Sequence, residues 1–193
     1  MRILKVVGLV GLQGAGKTEV AKVALSLGIP CIRMGEVVLT EIRRRGLEIN
    51  EENVGKVANE LREKGGKGIV ARLCLPLIRE KLVENGMVVV DGIRAMEEVE
   101  ELRKAFGKDV VIVGIWASPS LRYSRIASRR REDDAEDYEG FIRKEKRELE
   151  WGVGNALSLA DFLLINEGTL EELREKAMEF FRRLMRDEGL GRN

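Results

Sequence analysis

Five short apolar runs punctuate the chain: Leu4 to Val10, Ile29 to Ile32, Met87 to Val90, Val110 to Trp116 and Phe162 to Ile165. They are rich in valine and isoleucine and do not alternate with polar residues. That is the pattern of strands buried on both faces of a parallel sheet. Longer stretches between them read as helices. The first spans Gly16 to Leu27, with Gly28 as its stop. Gly35 to Arg45, Glu51 to Lys64 and Ile69 to Glu84 follow with no strand among them. Ala95 to Phe106, Pro119 to Arg130, Glu136 to Trp151 and Thr169 to Arg186 complete the set. Ser118-Pro119 is a good helix start, with serine as N-cap and proline in the first turn. This order predicts an α/β fold, a five-stranded parallel sheet flanked by helices in a single domain over 1–193. The three helices within 33–86 form an insertion between the second and third strands, placed to serve as an acceptor-binding flap.

Composition narrows the picture. With 193 residues, 44% of them hydrophobic, the chain is long enough for one domain with a real core. Lys and Arg total 34 against 33 for Asp and Glu, a balance that argues against a general nucleic-acid or membrane binder. No apolar run approaches the ~18 residues of a membrane span, and Lys5 interrupts the apolar start before a glycine-rich loop, so a cytoplasmic protein is expected. Without histidine, a His-based triad or metal site is excluded, and Cys31 and Cys74 are too few and too far apart for a disulfide framework or a zinc site. Charged residues reach 35%, against about 25% in average proteins, which suggests adaptation to heat.

The strongest chemical signal follows the first strand. Gly11-Leu12-Gln13-Gly14-Ala15-Gly16-Lys17-Thr18 matches the phosphate-loop pattern G-x-x-x-x-G-K-[ST] in full, between a strand and a helix as that motif requires. Glycines let backbone N–H groups turn inward around phosphate oxygens, and the helix N-terminus adds positive potential. Lys17 is placed to bridge β- and γ-phosphates, and Thr18 to offer a hydroxyl to Mg2+. Val88 to Arg94 reads as a strand ending in Asp91, the form of a carboxylate that holds a metal-bound water or accepts a proton; an Asp-Gly turn is the plainer alternative. Arg94 opens a helix, where a cation is disfavoured by the dipole, so an anionic partner is expected. Asn53, Lys56, Asn59 and Arg62 recur at helical spacing and read as a solvated face. Gly65-Gly66-Lys67-Gly68 reads as a helix-breaking hinge. Arg122, Arg125 and Arg129 share a helical stripe within an arginine- and acid-rich stretch that runs on through Arg131, Asp133 and Asp134.

Gly11 to Thr18, Met34-Gly35-Glu36-Val37-Val38, Asp91-Gly92-Ile93-Arg94, Arg125 to Asp134 and Ala160 to Gly168 resemble, in order, the landmarks of adenylate kinase and related nucleoside monophosphate kinases. The resemblance covers most of the chain. It is closest to an uncharacterised, mainly archaeal family of adenylate-kinase-related P-loop proteins, and "ADFLLINEGTLEEL" also resembles dephospho-CoA kinases. The resemblance implies a P-loop NTPase fold with an acceptor-binding domain and a short lid over 125–140. It implies that Lys17 and the loop bind ATP, that Arg94 contacts the acceptor phosphate, and that Arg125 with Arg129 or Arg131 closes over the transferring group. Asn166 and Gly168 would face the adenine. Gly35, Glu36 and Arg43 would meet the acceptor. The family's acceptor arginine four residues after the glycine is Leu39 here, and Arg43 lies one helical turn further on.

These readings converge on a Mg-ATP-dependent phosphotransferase acting on a small acceptor, a nucleotide or related metabolite. A nucleotide-gated binding protein or slow ATPase with no small-molecule acceptor is the alternative, and Leu39 is its best support.

Overall fold

The computed structural model describes residues 4–129 and 137–186. Its strands are β1 (Lys5–Val10), β2 (Cys31–Arg33), β3 (Met87–Ile93), β4 (Val110–Trp116) and β5 (Phe162–Ile165). Its helices are α1 (Lys17–Ser26), α2 (Gly35–Arg44), α3 (Glu51–Gly65), α4 (Ile69–Asn85), α5 (Met96–Phe106), α6 (Pro119–Arg129), α7 (Tyr138–Trp151), α8 (Val153–Ser158) and α9 (Leu170–Met185). The strands form one parallel sheet in the order β2-β3-β1-β4-β5. The loop-bearing strand β1 is therefore central, and both its neighbours belong to later parts of the chain.

Alternate residues of the strands feed two cores. Val6, Val88, Val90 and Ile112 pack on one face with Ile42, Val57, Ile78 and Leu102 from α2 to α5. Val7, Leu9, Val89 and Val113 pack on the other with Val20 from α1 and Phe180 and Phe181 from α9. Burial on both faces explains why the runs lack alternation.

The expected architecture is present, with local differences. β2 begins two residues later than expected, because Pro30 precedes it; the Pro30 carbonyl still accepts a hydrogen bond from the Val89 amide. β3 runs past Asp91 to Ile93, since Val10 pairs with Ile93 and the ladder skips Gly92, whose φ is +103°. α8 is an additional helix, a short turn after Gly152. Its six residues are too few to show a helical period. α3 ends at Gly65 and Gly66 has φ +80°, so the glycine cluster breaks the helix as expected. The expected insertion corresponds to α2, α3 and α4. Of the expected lid, Arg125 and its neighbours end α6 and Asp137 caps α7; 130–136, including Arg131, Asp133 and Asp134, lies outside the described residues.

Candidate functional site

Because all five strands run parallel, their carboxyl ends open on one edge, and one cavity of about 780 Å³ lies there. That volume suits a ligand site of ordinary size. Gln13, Gly14, Gly16, Lys17 and Thr18 line it. The loop is shaped by close approach. Gly16 has φ +111°, and a Cβ there would lie 2.5 Å from the Asn166 side chain, so only glycine fits. The Lys17 ammonium donates to the carbonyls of Gly11 (2.6 Å) and Leu12 (3.1 Å).

Side chains from α6 and from the turn after β5 brace the loop from outside. Arg122, 3% exposed, donates to the carbonyls of Ala117 (2.9 Å) and Gln13 (3.3 Å) and pairs with Glu145 at 2.5 Å. Arg125 lines the cavity and donates to Asn166 (3.1 and 3.2 Å) and, at 3.5 Å, to Gly14. Desolvation lowers the Arg125 pKa, against the pull of Glu167. Asn166 in turn donates to the Ala15 carbonyl at 2.8 Å. Gln13 donates to the Phe141 carbonyl at 2.8 Å, which ties the loop to α7. Where α6 meets α7, Tyr123 sets its ring edge-to-face against Tyr138 and Phe141, which stack on each other.

The β3 bulge aims the next group. Asp91 lines the cavity, and its Oδ1 is buried with no hydrogen-bond partner among the described residues. Bulges of this kind re-aim side chains next to active sites. Arg94 reaches across, donating to Gly11 at 3.4 Å and pairing through Nε with Glu148 at 3.0 Å. Its backbone N–H is held by Glu98, which also accepts from Ala95 and from Arg62. Burial raises the pKa of Glu98, against the opposing charges of Arg62 and Arg94.

The far side of the cavity is where α3 meets α7. Arg62 of α3, 8% exposed, lies 4.0 Å from the Trp151 ring centroid, and Arg147 lies 5.5 Å from it. Trp151 donates to Asn59 at 2.8 Å, and Arg147 pairs with Glu51 at 2.6 Å. A Cβ at Gly55 would collide with the Arg147 guanidinium, so this glycine is what admits it. Val38, Leu39, Val54 and Val70 add an apolar wall.

The cavity thus gathers Gln13, Gly14, Gly16, Lys17 and Thr18 of the loop with Gly35, Asp91, Arg94, Arg125, Asn166 and Gly168; Gly11, Leu12 and Ala15 support the loop without lining the cavity. Glu36 and Arg43 do not line it. They pair with each other at 3.6 Å on the outer face of α2, while Leu39 faces inward. Arg62 corrects the expectation of a solvated face, because its guanidinium is buried against Glu98 and Trp151. Arg122 and Arg125 share the face expected of them, and both donate to the loop backbone. Lys144, Arg147, Glu148 and Trp151, none of them among the residues expected from the sequence, also line the cavity. Their spacing from Phe141 along α7 (three, six, seven and ten residues) is the stripe of one helix face and was the available signal.

Comparison with known proteins agrees with this geometry. The protein-family model described as an AAA domain matches residues 10–143. A UPF0200/UPF0201 protein of Archaeoglobus fulgidus is 44% identical over 184 residues, covering 95% of this chain and 57% of that protein. The chain therefore spans little more than half of that relative. A UPF0200 protein of Methanosarcina mazei is 42% identical over 173 residues, covering 90% of this chain and 91% of its own. Among solved structures, the shikimate kinase from Acinetobacter baumannii in complex with shikimate superposes with a TM-score of 0.58 at 19% identity, over 98% of this chain and 97% of its own. A gluconokinase from Sinorhizobium meliloti 1021 gives 0.57 at 17%, over 97% of each chain. These two likenesses are of fold.

Proposed function

We infer that this chain, which belongs to the AAA-domain family and to the UPF0200 proteins, is a phosphotransferase moving the γ-phosphoryl group of Mg-ATP to a small acceptor. The observation that carries the reading is a single cavity with two differently built ends. One end is a phosphate loop with its lysine. The other is an apolar wall with two guanidinium groups around an indole. A slow ATPase has no use for the second end.

Phosphoryl transfer asks for positioning and charge neutralisation rather than covalent chemistry. The loop amides and Lys17 would hold the donor phosphates, and Arg94 would lie between donor and acceptor. Arg125, Arg129 and Arg131 would close over the transferring group, Arg125 from its place beside Gly14. Asn166 and Gly168 would flank the base, and Gly35 the acceptor; Glu36 and Arg43 would act through the outer face of α2. Thr18 and Asp91 fit Mg2+, because both line the cavity and Asp91 keeps an unpartnered buried oxygen; the ion, when bound, would neutralise charge on the phosphates.

The test is acceptor dependence. ADP release is measured with and without a panel of nucleoside monophosphates, nucleosides, dephospho-CoA and small hydroxy acids. The reading predicts that at least one acceptor raises the rate tenfold or more. Phosphate release that no acceptor changes would favour the nucleotide-gated alternative instead.

A further inference from the structure

Among the described residues, three cavity-lining side chains at the acceptor end keep a buried polar atom without a hydrogen-bond partner: Nε of Arg62, Nε of Arg147 and Oε2 of Glu148. The two nitrogens are N–H donors of the two guanidinium groups that lie against Trp151. The oxygen is different. Glu148 is 2% exposed, and Arg94 holds its Oε1 at 3.0 Å, which leaves Oε2 as a fixed acceptor. An unmade hydrogen bond on a buried charged group is costly, so such atoms mark places where a ligand supplies the partner. The donors call for an anion, and the carboxylate calls for a hydrogen-bond donor.

We propose that the acceptor is a hydroxyl-bearing acid: its anionic group takes the free donors of Arg62 and Arg147, and its nucleophilic hydroxyl donates to Oε2 of Glu148. This deepens the phosphotransferase reading and rests on it. A phosphate nucleophile has a second pKa near ~6 and at neutral pH needs no base. It would also bring about −1.5 to −2 of charge against a buried carboxylate, which like charges oppose. A hydroxyl nucleophile carries no charge and has a proton to give up. Burial raises the Glu148 pKa, but Arg94, Lys17, Lys144 and Arg147 outweigh it, and the group stays ionised as an acceptor. In the transfer, the acceptor oxygen bonds to the γ-phosphorus as the bond to the β,γ-bridging oxygen breaks. The bridging electron pair leaves with ADP, and the hydroxyl proton passes to Oε2 of Glu148 and then to water. Asp91 retains its own unpartnered oxygen for the metal, so the two carboxylates have separate duties.

The experiment uses the whole chain with Mg-ATP and three sets of probes: D-glycerate, D-gluconate and shikimate; ribose 5-phosphate; and AMP, CMP, GMP and UMP. ADP release identifies the responding probe, and phosphorus NMR identifies the oxygen that was phosphorylated. The proposal predicts a phosphomonoester on a hydroxyl, whichever set responds. Glu148→Gln, which can still accept from Arg94, is expected to lower kcat with that probe by ~10²-fold or more, with KM for ATP changed less than threefold. Glu148→Asp should retain more kcat than the glutamine variant. Calorimetric binding of the same probe without ATP should stay within threefold in Glu148→Gln and weaken at least tenfold in Arg62→Ala. A diphosphate product on a nucleoside monophosphate, or an unchanged kcat in Glu148→Gln, overturns the proposal and leaves the phosphotransferase reading standing. If no probe raises ADP release and only inorganic phosphate forms, the phosphotransferase reading itself fails and takes this proposal with it.

Discussion

The two ends of the cavity are built by opposite means. The end proposed for the donor is mostly backbone, contiguous from Gly11 to Thr18, and conformed by glycine and by braces from Arg122, Arg125 and Asn166. The end proposed for the acceptor is mostly side chain, drawn from α3, α5 and α7, and joined by ion pairs and an indole. A backbone cradle recognises what every nucleoside triphosphate shares. A side-chain cluster can be rewritten residue by residue, so it is the end where one fold acquires different acceptors.

The difference can be broken at either end. The largest effect is expected from Lys17→Ala, which removes the loop's charge: steady-state turnover should fall at least ~10²–10³-fold, read as ADP release. Binding of an acceptor without ATP should survive it. On the other side, Glu98→Ala leaves Arg62 a buried, unpaired cation and frees the backbone at Arg94. Loss of one partner of a buried pair costs about 3–5 kcal/mol. Chemical denaturation should show that loss, and acceptor-dependent turnover should fail before ATP binding does.

A smaller and more selective change is Gly55→Ala. Its methyl group pushes aside the Arg147 guanidinium, the movable end of a long side chain, and so disturbs the site more than the fold. KM for the acceptor should rise severalfold with KM for ATP unchanged. If both rise together, the two ends are one unit. The smallest effect concerns pH. Glu41 on α2 is held at about 2 by Arg44 and Arg45, and Glu148 is also held below the ordinary carboxylate range. A depressed carboxyl contributes stability that is present above its unfolded pKa and lost as pH falls through the folded one. Thermal unfolding should therefore occur at lower temperature from about pH 4.5 down toward 2, with the α2 and α7 side of the molecule loosening first in hydrogen exchange.

The same contrast explains what the sequence revealed. Parallel strands buried on both faces announce themselves as unbroken Val and Ile runs, and the loop is a local motif in which every residue of the pattern adjoins the next. The β3 bulge was not legible, because Asp91-Gly92 reads equally well as a strand end. Arg62 looked solvated because its partners, Glu98 and Trp151, are 36 and 89 residues away, and helical spacing alone does not tell a charged stripe facing water from one facing another helix. Arg43 looked like a replacement for the arginine absent at position 39, yet one helical turn carries it beyond the cavity wall to Glu36. Glu148 was hidden among the alternating charges of 143–150, where only packing singles out the one carboxylate that is buried.

If both ends of the cavity serve one transfer, as proposed, the γ-phosphoryl group itself can be followed, with radiolabelled ATP in a single turnover over excess enzyme and the responding acceptor. Most of the label should then appear on the acceptor, in step with ADP, and Arg62→Ala should divert or stop that flow while ATP still binds. Label recovered as inorganic phosphate at the same rate with and without acceptor would mean that the two ends do not work together.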